Sequence, residues 1–125
     1  MRFGIDDLRQ VRQLTAQWAA GARLSPERAE DFVIAVNEIA TNAVRYGSPA
    51  AWLVLRVTRQ NMAEAEVRDE GRWPPGSTAA ASGEQRGGMG LPLACRICDA
   101  VEIRAGHYGT AVLLRIRLPE CRRPR

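Results

Sequence analysis

The sequence predicts an α+β fold, a two-layer sandwich with helices on one face of a sheet. Two patterns support this class. Segments with helical spacing carry a single apolar stripe, so each can bury only one side. Segments in which polar and apolar residues alternate crowd into the part of the chain after Ala50. With 125 residues and 46% hydrophobic content, the chain has material for one core. We therefore expect a single domain over residues 1–118 and a basic tail over 119–125.

The first part of the chain predicts two amphipathic helices. The segment from Ile5 to Ala20 repeats apolar residues at helical spacing, and Gly21 suits its end. The second helix has clearer boundaries. Ser25 can cap it, Pro26 suits its first position, and Gly47 suits the residue beyond its end.

Two strands are predicted next, Ala51 to Arg59 and Met62 to Asp69, joined by a short polar turn. In the second strand Asp69 is in register with the apolar residues, at the end of the face that should be buried. A carboxylate there is costly to bury without a partner, and a nucleobase amino group is one partner that it could have. The pattern fits equally well a strand that ends before Asp69, with this side chain in water.

The region from Gly71 to Gly90 loses all periodicity and is rich in Pro, Gly and Ser. A loop of this length in a compact domain is usually functional or disordered, and a lid over a ligand is one such function. It ends in GGMGL at 87–91. Glycines before a helix allow backbone N–H groups to approach phosphate oxygens, although a flexible loop end would have the same composition.

The remaining chain predicts a short helix over Leu91 to Asp99 and strands over Val101 to Arg104 and Thr110 to Leu118. The helix contains Cys95 and Cys98 in a C-x-x-C spacing. No second cysteine pair exists and the chain has one histidine, so we expect packed thiols rather than a zinc site.

The formal net charge of +4 comes from arginine, and a good part lies in the RRPR tail at 122–125. Basic residues elsewhere are dispersed, without an aromatic stacking surface, so direct nucleic-acid binding is not expected. Apolar stretches are too short to span a bilayer, and the N-terminus has no export pattern. We expect a soluble, cytoplasmic protein that does not bind membranes.

The second helix carries the most informative polar residues. At about 100° per residue, Glu38, Asn42 and Arg45 lie on one narrow face. A carboxylate can accept a proton or orient a hydroxyl, and a carboxamide oxygen is a ligand that Mg²⁺ accepts. Together they make half of a phosphoryl-transfer site. A merely solvated polar face is the alternative interpretation.

Three motifs occur in chain order: NEIATNAVRYG at 37–47, VRDEG at 67–71 and GGMGL at 87–91, with Gly109-Thr110 near the end. Together they closely resemble the ATP-binding boxes of the gyrase, Hsp90, histidine-kinase and MutL (GHKL) superfamily. Within it, the short length and the NAVRYG segment resemble the anti-sigma-factor serine kinases. The resemblance covers nearly the whole chain and implies a Bergerat ATP-binding fold with a mixed sheet, and ATP and Mg²⁺ as cofactors.

The resemblance also implies residue roles. Glu38 would be the general base or water-orienting carboxylate, Asn42 the Mg²⁺ ligand, and Asp69 the acceptor for the adenine amino group. Gly71 would let the base approach, and Thr110 would support the adenine pocket. The residues that would bind the nucleotide are, in chain order, Asn42, Arg45, Asp69, Gly71, Gly88, Gly90, Leu91 and Thr110.

By this resemblance the protein would be a transcription regulator that binds a sigma factor. As a serine/threonine-protein kinase, a transferase, it would phosphorylate an anti-anti-sigma partner, and a homodimer is compatible with the family. The alternative is an ATP-binding partner-switching module without phosphotransfer. The adenine motif, DEGRW at 69–73, lacks the second glycine common in the superfamily.

Overall fold

The structure is a computed structural model that describes residues 1–71, 90–106 and 109–120. The helices are α1 (Leu8–Gly21), α2 (Pro26–Asn42) and α3 (Gly90–Ile97). The strands are β1 (Arg2–Phe3), β2 (Ala51–Val57), β3 (Met62–Asp69), β4 (Ala100–Gly106) and β5 (Gly109–Arg117). A 3-10 turn at Ile5–Asp7 precedes α1, and a π-helical segment at Ala43–Gly47 follows α2. Within these ranges no helix has the length and apolarity to cross a membrane.

The five strands form one sheet in the order β1-β2-β3-β5-β4, and every neighbouring pair is antiparallel. The α+β class is confirmed, but the expectation of a mixed sheet is corrected to an antiparallel one. Short turns make β2–β3 and β4–β5 hairpins, which are necessarily antiparallel. Two helices separate β1 from β2, so the chain reverses twice before β2 runs back along β1. The two residues of β1 are too few to give a periodic signal in the sequence.

The core lies between the helices and one face of the sheet. From α2, Phe32, Val36 and Ile39 are fully buried, and they meet apolar residues that alternate along the strands. Burying a side chain of this kind stabilises the fold by about 1.5–3 kcal/mol. The strand residues of this face, each at most 1% exposed, are Ala63, Ala65, Val67, Val112, Leu114 and Ile116.

The start of α2 is tied to the far end of α3 by one arginine. Arg28 donates to the carbonyl oxygen of Ile97 at 2.9 Å and to the Asp99 carboxylate at 3.3 Å. The same Asp99 carboxylate accepts the backbone N–H of Arg117 at 2.7 Å. Between these contacts, burial raises the pKa of the Cys98 thiol to about 12, which keeps it protonated and unreactive.

The opposite face of the sheet carries charge that is partly buried. Glu64 and Glu66 point away from the helices, yet they are only 4% and 9% exposed. They belong to a set of ion pairs, here called the arginine–glutamate network, that crosses β2, β3, β4 and β5. Its members are Arg56, Glu64, Glu66, Arg68, Glu102, Arg104 and Arg115.

Glu64 is the centre of this network. Its carboxylate accepts a hydrogen bond from Nε of Arg115 at 2.7 Å and also forms an ion pair with Arg56. Burial opposes ionisation of Glu64, but the hydrogen bonds from Arg115 and Arg56 outweigh it and hold its pKa below the ordinary value. The charged form of Glu64 therefore stabilises the folded state.

The first prediction concerns acid stability. A carboxyl whose pKa is lowered by folding contributes stability above its unfolded pKa of about 4.3 and loses it as the pH falls through the folded value. We expect the free energy of unfolding to decrease below about pH 4.5. Glu64→Gln should cost about 1–3 kcal/mol at neutral pH and flatten this acid slope. Urea unfolding across pH measures both quantities.

Glu102→Gln is the matched control, because Glu102 pairs with Arg115 and Arg104 but its side chain is 39% exposed. It should lower stability less than Glu64→Gln. Equal losses in the two variants, or an unchanged acid slope in Glu64→Gln, would contradict the role given to Glu64.

Candidate functional site

The helix that carries Glu38 and Asn42 begins as the sequence predicts. The Ser25 hydroxyl accepts the backbone N–H of Arg28 at 3.2 Å, and Pro26 occupies the first turn. The α-helical part ends at Asn42 instead of running on to Gly47, because the next five residues are π-helical. π-helical segments are rare and frequently lie at functional sites.

The π segment decides which polar residues stay together. Glu38 and Asn42 both precede it, so they remain one α-helical turn apart. Asn42 is buried at 9% exposure and Glu38 is half-buried. Arg45 lies within the π segment, where 100° per residue no longer applies, and it is exposed. Glu38 and Asn42 therefore keep the predicted α-helical spacing, whereas the spacing predicted for Arg45 does not apply in the π-helical segment.

Asp69 is the last residue of β3 and is 1% exposed, on the face turned towards the helices. Its Oδ1 accepts the backbone N–H of Gly71 at 2.8 Å. The strand therefore extends through Asp69, and the interpretation with a solvated side chain is excluded. A carboxylate this deeply buried requires hydrogen-bond donors around it, and the N–H of Gly71 is one of them.

Thr110 lies directly opposite Asp69 in the register of β3 and β5. It is 3% exposed, and its hydroxyl donates to the carbonyl oxygen of Gly71 at 3.4 Å. Thr110, which is distant in the sequence, thus meets Asp69 and Gly71 at one end of the sheet.

Gly109 allows the start of β5 to approach the end of β3 closely. Its φ is +131°, and a Cβ at this position would lie 2.0 Å from the carbonyl oxygen of Asp69. Any side chain would therefore push β5 away from the end of β3. The sequence contains Gly109 beside Thr110, but its steric role follows only from the strand pairing.

Ser48 joins the helix end to the strand end. Its hydroxyl accepts the backbone N–H of Glu70 at 3.4 Å and donates to the carbonyl oxygen of Ala50. The backbone N–H of Ser48 also bonds the carbonyl oxygen of Ala43 at 3.3 Å, which closes the π turn. No sequence pattern predicts this role, because serine after a helix is common.

The glycine motif is described only in part. Gly90 and Leu91 are the first two residues of α3, as expected for glycines that lead into a helix. Gly88 and the predicted lid lie outside the described residues, except for Gly71 and Gly90 at its ends. Their role in holding phosphate stays a prediction.

Residues 3–116 match the histidine kinase-like ATPase domain family. The chain therefore belongs to this family and is an ATP-binding domain of the GHKL type. No curated relative matches the chain.

Solved structures share the fold. The RsbU and RsbW domains of a Mycobacterium tuberculosis protein align with a TM-score of 0.70 and 23% identity over 94% of this chain and 32% of that chain. A blue-light activated histidine kinase domain of Erythrobacter litoralis aligns with a TM-score of 0.61 and 22% identity, over 74% of this chain and 45% of that chain. The histidine kinase AdeS of Acinetobacter baumannii aligns with a TM-score of 0.62 and 15% identity, over 96% of this chain and 68% of that chain. The chain thus spans about a third of the first structure and less than half of the second.

The described residues fit ATP and Mg²⁺ by the chemistry of their donors. A buried carboxylate, Asp69, lies beside the Thr110 hydroxyl, which suits an exocyclic amino group. Glu38 and Asn42 supply oxygen atoms of the hard kind that Mg²⁺ prefers. The contacts between the π segment and β3 bring these two ends of the site to the same side of the sheet.

The second prediction tests the steric role of Gly109. Gly109→Ala should lower the free energy of unfolding by at least about 1–3 kcal/mol, because alanine is strained at this φ and would collide with Asp69. Gly21→Ala is the control, since a Cβ there would meet nothing within 4 Å, and it should be neutral or stabilising. Denaturant unfolding of both variants measures the difference. Equal stability of Gly109→Ala and wild type would show that the strands can part without cost.

Proposed function

We propose that the protein is an ATP-binding anti-sigma regulatory factor that phosphorylates a serine or threonine of an anti-anti-sigma partner. The observation that carries the proposal is the burial of the Asp69 carboxylate at 1% exposure beside Thr110 and Gly71. On the helix-facing side of β3 the other buried residues are alanine and valine, so a carboxylate there requires hydrogen-bond donors. Gly71 supplies one donor, and the amino group of a bound base would supply another.

At the adenine end, the Asp69 carboxylate accepts a hydrogen bond from the amino group of the base. The carboxylate is held in place by the N–H of Gly71, and Thr110 fixes the carbonyl group of the same glycine. The absence of a side chain at Gly71 leaves space for the base to lie against the backbone. This arrangement favours adenine over guanine, whose corresponding position carries a carbonyl oxygen and would repel the carboxylate.

At the phosphate end, Asn42 offers its amide oxygen to Mg²⁺, which neutralises phosphate charge when bound. Asn42 is the last α-helical residue before the π segment, so its position is fixed by the packing of α2. Arg45, Gly88, Gly90 and Leu91 complete the proposed phosphate contacts.

In phosphoryl transfer, Glu38 accepts the proton of the partner's hydroxyl while the hydroxyl oxygen attacks the γ-phosphorus and the bond to ADP breaks. Glu38 is half-buried and one turn from Asn42, which supports a role for it near the phosphate groups that Asn42 would help to bind. Most of the catalytic effect would come from positioning and charge neutralisation.

The proposed partners are a sigma factor and its antagonist. Support comes from the NAVRYG motif at 42–47, which resembles the anti-sigma-factor serine kinases, and from the fold shared with the structure that contains an RsbW domain. A protein of this kind would regulate transcription through protein contacts in the cytoplasm, with no direct contact to nucleic acid.

The third prediction tests adenine recognition. Asp69→Asn keeps the size of the side chain and an acceptor for Gly71, but presents an amide to the base. ATP affinity should fall by about tenfold or more, as expected for a lost charge-assisted hydrogen bond, while folding is retained. Calorimetric titration with ATP and with GTP measures the affinity for each nucleotide. Glu70→Gln, at the exposed neighbouring residue, is the control, and a similar loss in both variants would argue against Asp69.

The fourth prediction separates catalysis from binding. Glu38→Gln removes the base, so phosphorylation of the antagonist should fall by about 10²–10⁴-fold, while ATP affinity is retained. Asn42→Ala should instead weaken ATP binding in the presence of Mg²⁺ and have little effect in EDTA. Phosphate transfer and ATP affinity are measured side by side, with Glu30→Gln, exposed on the same helix, as control. Binding without transfer in the wild type would favour the partner-switching module.

A further inference from the structure

The arginine–glutamate network alternates in charge from end to end. Each glutamate pairs with two arginines, and the two terminal members pair with one glutamate each within the described residues. In order along the network the residues are Arg68, Glu66, Arg56, Glu64, Arg115, Glu102 and Arg104. Four arginines and three glutamates leave one positive charge uncompensated.

The two ends of the network return to the same place on the sheet. Arg68 on β3 and Arg104 on β4 are both register partners of Ala111 on β5. With neighbouring strands about 4.8 Å apart, the Cα atoms of the two arginines are separated by about 10 Å. The network therefore forms a horseshoe whose open end lies above the small side chain of Ala111.

The open end presents positive charge to solvent. The side chains of Arg68 and Arg104 are each 65% exposed, whereas those of Glu64 and Glu66 are only 5% and 11% exposed. The carboxylates lie beneath the guanidinium groups that they neutralise. Glu70 lies near the open end but forms no ion pair with either arginine in the described part of the chain.

A groove of about 780 Å³ runs across this open end, a volume within the usual range of about 300–1,000 Å³ for ligand sites. Trp52, itself contacted by Arg2 at 5.9 Å from its ring centroid, and Val54 provide an apolar wall. The end of the groove at Gly106 is open to solvent, because a Cβ at Gly106 would meet nothing within 4 Å. Asp69 and Thr110 also border the groove, but by strand alternation their side chains lie on the opposite face of the sheet.

We propose that this groove docks an extended acidic segment of a protein partner, with a carboxylate placed between Arg68 and Arg104 above Ala111. Such a carboxylate completes the alternation of charge, since the horseshoe lacks one anion between its two terminal arginines. Both guanidinium groups retain N–H donors towards solvent and can bind a carboxylate by charge-assisted hydrogen bonds. Apolar side chains on either side of the acid pack against Trp52 and Val54.

The surface suits a peptide better than a nucleic acid. Continuous phosphate chains need several cations in a stripe, whereas here two exposed arginines flank one position and carboxylates alternate with the other guanidinium groups. The docking site is distinct from the proposed nucleotide site, because the side chains that would contact the peptide, those of Trp52, Val54, Arg68 and Arg104, take no part in binding the nucleotide.

The fifth prediction tests this surface with a short labelled peptide of glutamate, aspartate and leucine, and with a control peptide that has glutamine and asparagine instead. Fluorescence anisotropy should show binding of the acidic peptide only, weakened by added salt. The double variant Arg68→Gln/Arg104→Gln should weaken it by about tenfold or more. Arg9→Gln/Arg59→Gln, at two exposed arginines elsewhere, should change the affinity by less than about twofold.

Ala111→Leu provides a second variant that leaves every ion pair of the network in place and fills the open end. It should weaken the peptide about as much as the double arginine variant. ATP titration of the same variants should give an unchanged affinity, and loss of ATP binding in them would contradict the separation of the groove from the nucleotide site.

Three results would overturn the proposal. The wild type could bind the acidic and the neutral peptide equally, or neither. A labelled single-stranded oligonucleotide could bind more tightly than the peptide and lose affinity in Arg68→Gln/Arg104→Gln, which would make the surface a nucleic-acid site. Sedimentation could show a dimer of this chain that Ala111→Leu dissociates, which would make it a contact between copies.

Discussion

The packing of α2 across β3 is the constraint on which the site depends. Ala63, Ala65 and Val67 present small side chains to this helix, and Phe32 and Ile39 fill the space above the sheet. Each of these contacts is apolar and non-directional, but their sum fixes the helix both along and around its axis. This packing sets the position of the polar residues at the end of α2 relative to the end of β3.

β3 divides the molecule into two electrostatic environments. On the helix side its side chains are apolar until Asp69, which lies in a dry layer where an unpaired charge would be expensive. On the other side Glu64 and Glu66 are almost as well covered, but arginines from neighbouring strands cover them while remaining partly hydrated themselves. Acidic residues are therefore tolerated on both faces for different reasons. On one face the carboxylate of Asp69 is proposed to recognise adenine, and on the other face the carboxylates belong to the arginine–glutamate network.

The ends of the elements, rather than their middles, carry the polar residues of the nucleotide site. Asn42 lies where the α-helix becomes a π-helix, and Asp69 and Thr110 lie where β3 ends and β5 begins. Backbone groups at such ends have fewer partners within their own element. Ser48 uses them by bonding both the π segment and the residue after Asp69. The positive φ of Gly109 lies at the same end of the sheet.

The sequence by itself determined what depends on local periodicity and composition. The start of α2, the hairpin of β2 and β3, the α+β class and the membership of Asp69 in the apolar register all follow from spacings of a few residues, because helices and strands repeat at 3.6 and 2 residues. The sequence could not decide whether β3 extends to Asp69, since that depends on the cover supplied by other elements. The antiparallel order of the strands, the π segment, the close approach at Gly109 and the horseshoe of Arg68 and Arg104 around Ala111 were decided by tertiary structure alone. The strand order, the approach at Gly109 and the horseshoe join residues distant in the chain, and pairing between distant strands has no local signature. The π segment is local, but the helical spacing of the sequence does not distinguish it from a continued α-helix.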